Sequence, residues 1–189
     1  MGESSSDEDL MLDYRNGNSF AFEQLYERHK GSLYRYILRK CNNASIADEL
    51  FQDVWMKLIG ARERYEVKAK FTTYLYQLAN NHCIDYYRRQ STRAMENTNS
   101  EMSEVQNVPG NAQLQPEHQA DIQQQTDRLI EILDALPGEQ QEAFLLREEA
   151  GMSIAEIAET TGVNVETAKS RLRYAVNKLR AGLSDNDSR

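Results

Sequence analysis

The chain has 189 residues, of which 40% are hydrophobic and 28% charged, and its formal net charge is −8. This composition is typical of a soluble globular protein of one medium or two small domains, and no apolar run is long enough to span a bilayer. The N-terminus, MGESSSDEDL, is acidic and polar where a secretory signal would be basic and then apolar, so we expect a cytoplasmic protein without membrane insertion. The only cysteines, Cys41 and Cys83, form no CxxC pair, which excludes a disulfide framework.

The charges are segregated along the chain. Residues 1–9 and 94–127 carry acidic residues and no basic ones, whereas residues 20–93 carry thirteen basic residues against eight acidic ones. Residues 165–183 hold five basic residues and one acidic residue. These two basic segments are the places where an otherwise acidic protein could contact nucleic acid.

The first predicted helix covers residues 20 to 40, where apolar residues recur at intervals of three and four, and Gly31 marks a point at which it could break. His29 lies on the apolar stripe, and we interpret it as a partly buried structural histidine. Residues 1–15 precede the domain and are interpreted as an acidic, solubilising tail.

The second predicted helix covers residues 45 to 62 and has two apolar stripes: Ile46, Leu50, Val54 and Leu58, and Phe51, Trp55 and Ile59. A helix with two apolar faces usually packs against a different structural element on each face. Either it lies at the centre of its own bundle, or one face receives a partner protein beside its polar residues Asp48, Glu49, Gln52 and Asp53. The residues alone leave both interpretations open.

The third predicted helix begins near Lys70 and runs into the stretch ANNHCIDYYRR, residues 79–89. Its core stripe is Phe71, Leu75 and Leu78. We expect a turn around residues 80 to 82 and a further helix from Ile84, so that residues 16–92 form a domain of three or four helices.

The segment 93–125 loses the apolar periodicity and is rich in Gln, Asn, Ser and Glu, which predicts a flexible acidic linker. Residues 126–183 are again helical and residues 184–189 are a short tail. Ser153 and Glu156 form a capping box, Gly162 suits a tight turn, and Asn164 is a good N-cap. Two short helices joined in this way predict a helix-turn-helix.

The outward face of the last helix is polar and basic, which favours a recognition helix in the DNA major groove over an ordinary solvated face. A metal or catalytic module built on His29, His82, Cys83 and Asp85 is disfavoured, because adjacent His82 and Cys83 lack a second pair at metal-ligand separation. No nucleophile, base and orienting group recur in a recognisable order. We therefore predict a non-enzyme with no metal and no cofactor.

Four stretches resemble, in order, the extracytoplasmic-function sigma factors of bacterial RNA polymerase. FEQLYERHKGSLYRYIL, ADELFQDVWMKLI and FTTYLYQLANNHCIDYYRR resemble the family's region 2, and LPGEQQEAFLLREEAGMSIAEIAETTGVNVETAKSRLRYAVNKLR resembles its promoter-binding region 4. The resemblance implies an all-α protein of two small helical domains joined by a flexible linker, the second domain containing the helix-turn-helix. It also implies an alternative sigma factor that binds core polymerase and promoter DNA and stabilises strand opening.

The resemblance assigns roles to residues of this chain. Contacts to the clamp of the polymerase largest subunit are implied for Asp48, Glu49, Leu50, Phe51, Gln52, Asp53 and Trp55. Contacts to the minus-ten element are implied for Tyr74, Tyr76, Asn80, Asn81, His82, Cys83, Tyr86, Arg88 and Arg89, with the turn at residues 80–83 capturing a flipped base. Contacts to the minus-thirty-five element are implied for Glu166, Thr167, Lys169, Ser170, Arg171 and Arg173.

The implied partners are core polymerase, through its clamp and flap, promoter DNA, and an anti-sigma factor. The alternative is a stand-alone helix-turn-helix regulator, which would bind an operator without polymerase. It leaves the two-faced second helix and the basic aromatic stretch unexplained. The sequence pI of about 5.0 also predicts weak unaided binding to duplex DNA.

Overall fold

In a computed structural model, residues 5–96 and 116–184 are described, and the chain divides into two compact units within residues 1–107 and 108–189. The described secondary structure is helical. Unit 1 contains α1 (Asp7–Arg15), α2 (Ser19–Cys41), α3 (Ala44–Ala61), a short 3₁₀ helix (Arg62–Arg64) and α4 (Phe71–Glu96). Unit 2 contains α5 (Pro116–Asp134), α6 (Gly138–Ala150), α7 (Ile154–Thr161) and α8 (Val165–Ser184).

The interpretation of residues 1–15 as a tail was wrong, because residues 7–15 form α1. Ser6 caps this helix by accepting a hydrogen bond from the Asp9 amide. Its apolar residues Leu10 and Met11 are buried in unit 1. A short amphipathic helix after a Ser N-cap explains why an acidic segment packs against the domain.

Helix α1 also forms hydrogen bonds that hold the beginning of α4 in place. The Glu8 carboxylate accepts a hydrogen bond of 2.6 Å from the Phe71 amide, which is one of the amides that the first turn of a helix leaves unpaired. Arg15 donates to the carbonyl oxygen of Tyr65 in the segment that precedes α4. The acidic N-terminal segment therefore acts as a structural cap for a helix far along the chain.

Two predicted interruptions are absent from the helices of unit 1. Gly31 lies within a continuous α2, and the turn expected at residues 80–82 is replaced by a continuous α4. No proline or glycine interrupts α4. The side of the helix that faces the domain interior carries four buried residues at helical spacing: Ala79, Asn80, His82 and Cys83. Burial of this inner face keeps the helix intact through the polar stretch.

The segment predicted as a linker is partly helical. Helix α4 continues to Glu96 and α5 begins at Pro116, so helices occupy both ends of residues 93–125. The flexibility predicted for the centre of this segment falls on residues 97–115, which lie outside the described residues.

The helix-turn-helix of unit 2 is confirmed. Ser153 and Glu156 form a reciprocal capping box at the start of α7, and Gly162 has a φ of 68° in the turn that follows. The Asn164 side chain accepts from the Thr167 amide at 2.8 Å and caps α8. Ala168, Ala175 and Leu179 form the buried face of α8, whereas Val165 in its first turn is exposed.

Candidate nucleic-acid and protein interfaces

Helix α3 presents an acidic surface to solvent. Asp48, Glu49, Gln52 and Asp53 are exposed along one side of the helix. Tyr34 of α2 donates a hydrogen bond of 2.9 Å to Asp48, and burial together with this bond raises the pKa of Tyr34. The polar residues that the sequence singled out therefore lie on one accessible face.

The aromatic residues of α3 are packed inside unit 1. The Trp55 ring lies 4.9 Å from that of Tyr26 and 5.8 Å from that of Phe22, both on α2, and it meets each of them edge-on. Leu50 and Trp55 are buried and Phe51 is half-buried. Leu50 of the first apolar stripe and Trp55 of the second thus belong to the core, which contradicts their assignment to a direct contact with a partner.

Met56 is a surface residue that the sequence interpretation missed. It is 65% exposed and follows Gln52 by four residues and Asp53 by three, which places it on the same side of α3. The sequence offered a signal, since Met56 belongs to neither apolar stripe. The surface formed by Asp48, Glu49, Gln52, Asp53 and Met56 is called the α3 face below.

Helix α4 separates the predicted minus-ten residues into two groups. Tyr74, Asn81 and Arg88 recur at intervals of seven residues and therefore share one side of the helix. Ile84, which is 44% exposed, and Arg89 extend this side, whereas Tyr86 is half-buried beside it. The surface formed by Tyr74, Asn81, Ile84, Arg88 and Arg89 is called the α4 face.

The other predicted minus-ten residues point into unit 1, so the base-capturing turn proposed for residues 80–83 is contradicted. Tyr76 packs edge-on against Tyr36 at 5.1 Å, and the Lys40 ammonium donates to the Asn80 side chain. The side chains of Tyr76, Asn80, His82 and Cys83 are buried. None of these four is available to a base while α4 is intact.

Cys83 and His82 have structural partners of their own. The Cys83 thiol hydrogen-bonds that of Cys41, and this bond is the main cause that lowers the pKa of Cys41, ahead of burial, which opposes it. The hydroxyl of Tyr87 donates to the carbonyl oxygen of Cys41, and burial raises the pKa of Tyr87. His82 bonds two residues of α3.

The segment between α3 and α4 forms a basic edge of unit 1, in which the 3₁₀ helix is followed by non-helical residues 65–70. Arg64, Lys68 and Lys70 are exposed in residues 62–70. A groove of about 450 Å³ opens here, lined by Asp7, Glu8, Val67, Ala69, Lys70 and Thr72. The sequence interpretation passed over this segment because it placed the loop of the domain at residues 80–83.

Burial and an aromatic neighbour fix the position of this segment beside α4. The ring of Tyr65 packs 5.4 Å from that of Tyr74, and burial raises the pKa of Tyr65 to about 12. The segment therefore lies next to the first residue of the α4 face.

In unit 2 the last helix carries the predicted recognition residues on its accessible side. Glu166, Lys169 and Arg173 are exposed, and Thr167 and Ser170 are half-exposed. The Arg173 guanidinium lies 5.6 Å from the ring centroid of Tyr174, which is 56% exposed and was missed by the sequence interpretation. These residues are called the α8 face: Glu166, Thr167, Lys169, Ser170, Arg173 and Tyr174.

Arg171 differs from the rest of the predicted recognition residues. Its guanidinium bonds the Glu139 carboxylate of α6 at 2.6 Å and is only one-fifth exposed. This ion pair ties α8 to α6, so the first role of Arg171 is to hold the recognition helix in place.

Residues 5–96 and 116–184 contain neither a metal-binding cluster nor a membrane-spanning helix. In these parts of the chain no three His, Cys, Asp or Glu side chains are grouped so as to hold a metal ion. No helix there is both long and apolar enough to cross a membrane.

The chain matches two family models and several known proteins. The model of Sigma-70 region 2 matches residues 25–93, and that of Sigma-70 region 4 matches residues 126–179. The chain is 29% identical over 158 residues to the ferric citrate uptake sigma factor FecI of Escherichia coli (strain K12), covering 84% of this chain and 88% of that protein. It is 28% identical over 177 residues to the ECF RNA polymerase sigma factor SigM of Mycobacterium tuberculosis, covering 92% and 83%.

The fold is similar to that of a solved sigma factor. The structure of RpoE from Bartonella quintana, determined in complex with the anti-sigma factor NepR, aligns with a TM-score of 0.70 at 21% identity. The alignment covers 86% of this chain and 96% of that one.

Proposed function

Because the chain belongs to the sigma-70 family and is an extracytoplasmic-function sigma factor, we propose that its three exposed helix faces divide the work of promoter recognition. The protein is an alternative sigma factor that directs promoter-specific transcription, and its region 2 and region 4 domains bind core RNA polymerase and promoter DNA. It acts as a non-catalytic subunit in the cytoplasm, where polymerase transcribes.

The α3 face is the proposed contact to the polymerase clamp. Its three carboxylates give it a negative charge that suits a basic partner surface, and Met56 adds a flexible apolar side chain at its edge. Buried Leu50 and Trp55 support this face from below. Their replacement would act through the stability of unit 1 and not through a lost contact.

The α4 face is the proposed contact to the minus-ten element. Tyr74 offers a ring on which a base can stack, Asn81 offers an amide for a base edge, and Arg88 and Arg89 offer charges for phosphates. Base capture is assigned to the exposed residues 66–70 beside Tyr74, since the residues of the predicted turn are buried.

The α8 face is the proposed contact to the minus-thirty-five element. Glu166 lies in the first turn of α8, where a carboxylate can accept from a cytosine amino group, and Lys169 and Arg173 follow on the same side. Tyr174 and its neighbour Arg173 lie where they can meet the phosphate backbone.

The observation that carries the proposal is the separation of charge among exposed faces. The α3 face is acidic, whereas the exposed charges of the α4 face and most of those of the α8 face are basic. A protein with a pI of about 5.0 gains little affinity for DNA from its overall charge. Polymerase therefore supplies the remaining affinity and holds the two DNA-binding units over their elements.

An anti-sigma factor is a further proposed partner. RpoE of Bartonella quintana was solved with one bound. In this chain an anti-sigma factor that covers the α3 face would block polymerase binding directly.

The proposal is tested by transcription from a library of promoter fragments, with the full chain, core polymerase, or both. We expect transcripts only when both are present, and the recovered promoters should share two elements separated by roughly one to two helical turns. The same fragments should show no shift with the chain alone at physiological salt. Tight binding by the isolated chain to a palindromic site would instead establish a stand-alone regulator.

A further inference from the structure

His82 lies at the junction between the proposed polymerase-binding helix and the proposed DNA-binding helix. It belongs to α4, its side chain is only 7% exposed, and both of its ring nitrogens bond residues of α3. The Nδ1 atom is 2.6 Å from the Lys57 Nζ, and the Nε2 atom is 3.0 Å from the Asp53 Oδ2.

The chemistry of the two neighbours fixes the proton on the ring. A lysine ammonium can only donate, so Nδ1 must accept the bond from Lys57. The ring proton then lies on Nε2, which donates to the Asp53 carboxylate. Asp53 is 51% exposed, so His82 holds a carboxylate that remains accessible from solvent.

Asp53 and Lys57 are four residues apart on α3, which is the spacing at which an acid and a base on a helix usually pair directly. In this chain the ring of His82 bonds to each of them, and the described ion pairs of unit 1 do not include one between Asp53 and Lys57. His82 therefore accepts the hydrogen bond of Lys57, which would otherwise pair with Asp53. The Asp53 carboxylate is then oriented by one neutral donor, the Nε2–H of His82.

We propose that His82 is a positioning residue that keeps the Asp53 carboxylate from pairing with Lys57 and presents it to core RNA polymerase. The inference rests on the proposed role of the α3 face. It assigns His82 to polymerase binding, whereas the sequence placed it in contact with the minus-ten element.

The test measures the affinity of the full chain for core polymerase in the absence of DNA. We expect H82L to weaken binding about tenfold, on the scale of one lost hydrogen bond to a charged group, because Lys57 then pairs with Asp53. H82Q should bind like the wild type, since a glutamine amide can still donate to Asp53. The double variant H82L/K57A should regain affinity, because the competing cation is gone while the leucine remains.

Asp53 supplies the second arm of the experiment. D53A should weaken polymerase binding, and H82L should have no further effect in the D53A background, since His82 acts only through Asp53. Recovery of affinity in H82L/K57A separates this effect from a general loss of folding, which removing Lys57 would not repair.

Each contrary result points to a different failure. If H82L weakens binding equally with and without Asp53, or if K57A restores nothing, His82 does not act by positioning Asp53 and the inference is overturned. If D53A binds normally, the proposed role of Asp53 on the α3 face fails first and the inference fails with it.

Discussion

At the scale of single residues, three buried polar side chains of unit 1 are held by charged groups from neighbouring helices. His29 bonds Asp7 of α1, Asn80 bonds Lys40 of α2, and His82 bonds α3. Each bond satisfies a polar atom that would otherwise be costly to bury. Asn80 and His82 look like binding residues in the sequence because polarity is visible there and burial is not, whereas the position of His29 on an apolar stripe indicated its structural role.

The pair of Asp7 and His29 predicts how the stability of unit 1 depends on pH. The hydrogen bond from His29 is the main cause that holds the pKa of Asp7 below its ordinary value of 3.8; burial opposes it, and Arg28 adds to it. Because the carboxyl is more acidic in the folded state, its stabilisation is present above about pH 4 and is lost as the pH falls through the folded pKa. D7N should therefore cost about 1–2 kcal/mol at pH 7 and progressively less below pH 4.

This prediction is checked by urea unfolding followed through tryptophan fluorescence. Trp55 is the only tryptophan of the chain and lies in unit 1, so its emission reports on that unit. D13N, which changes an exposed acid of the same helix, is the matched control and should leave the midpoint unchanged. A deficit for D7N that stays constant down to pH 3 would show that the charge of Asp7 does not matter.

At the scale of elements, local signals predicted the helix-turn-helix of unit 2, whereas contacts distant in sequence determine the start and the continuity of α4 in unit 1. Ser153, Glu156, Gly162 and Asn164 define α7 and α8 through bonds within a few residues, and these can be read from the sequence. The start of α4 is capped from a residue 63 positions away, and no local signal reveals such a cap. The turn expected near Asn80 failed for a similar reason, since tertiary burial keeps α4 continuous through polar residues.

The turn between α7 and α8 predicts a contrast between two glycines. Gly162 has a positive φ, so G162A should destabilise the helix-turn-helix by about 1 kcal/mol although nothing lies within 4 Å of the added carbon. Gly138 at the start of α6 also has open space but no positive φ, and G138A should be neutral or slightly stabilising. Hydrogen exchange of the α7 and α8 amides measures both variants, and equal exchange in the two would contradict the role of the turn.

At the scale of the whole molecule, the sequence predicted the two-domain helical organisation, because hydrophobic period and charge segregation act over whole segments. The binding residues of α3 and α4 came only from the resemblance to a family. The sequence did not predict which members of each surface are accessible. Leu50, Trp55, Tyr76 and His82 occupy positions that a family pattern marks as functional, yet packing buries them here. A sequence pattern shared with a family marks these positions as important. Only the contacts in the structure show whether such a residue binds a partner or stabilises the domain.

If the α4 and α8 faces bind DNA as proposed, their location on separate units predicts additive losses. R88A/R89A on the α4 face should lower transcription while polymerase binding stays intact. For promoter binding by the polymerase complex, the slope of the logarithm of the binding constant against the logarithm of salt concentration should fall by about one unit per lost phosphate contact. K169A/R173A on the α8 face should act similarly. The quadruple variant should lose the sum of the two free energies, because the two faces lie on separate compact units.

The measurement is promoter binding by the reconstituted complex over a range of salt concentrations. K30A, which removes a basic residue paired with Glu27 on α2, is the control and should keep the wild-type slope. If R88A/R89A abolished polymerase binding instead, the α4 face would belong to the protein interface.

The bond between Glu8 and the Phe71 amide bears on how the chain folds during its synthesis. Helices α1, α2 and α3 make contacts between neighbours in sequence, so they can associate while the ribosome is still extending the chain. The contacts of α1 with α4, including this cap, must wait until Phe71 and the residues beyond it have emerged. A nascent chain that pauses before α4 is complete therefore exposes the apolar side of the first three helices, which makes the interval before Phe71 the period in which unit 1 most needs protection by a chaperone.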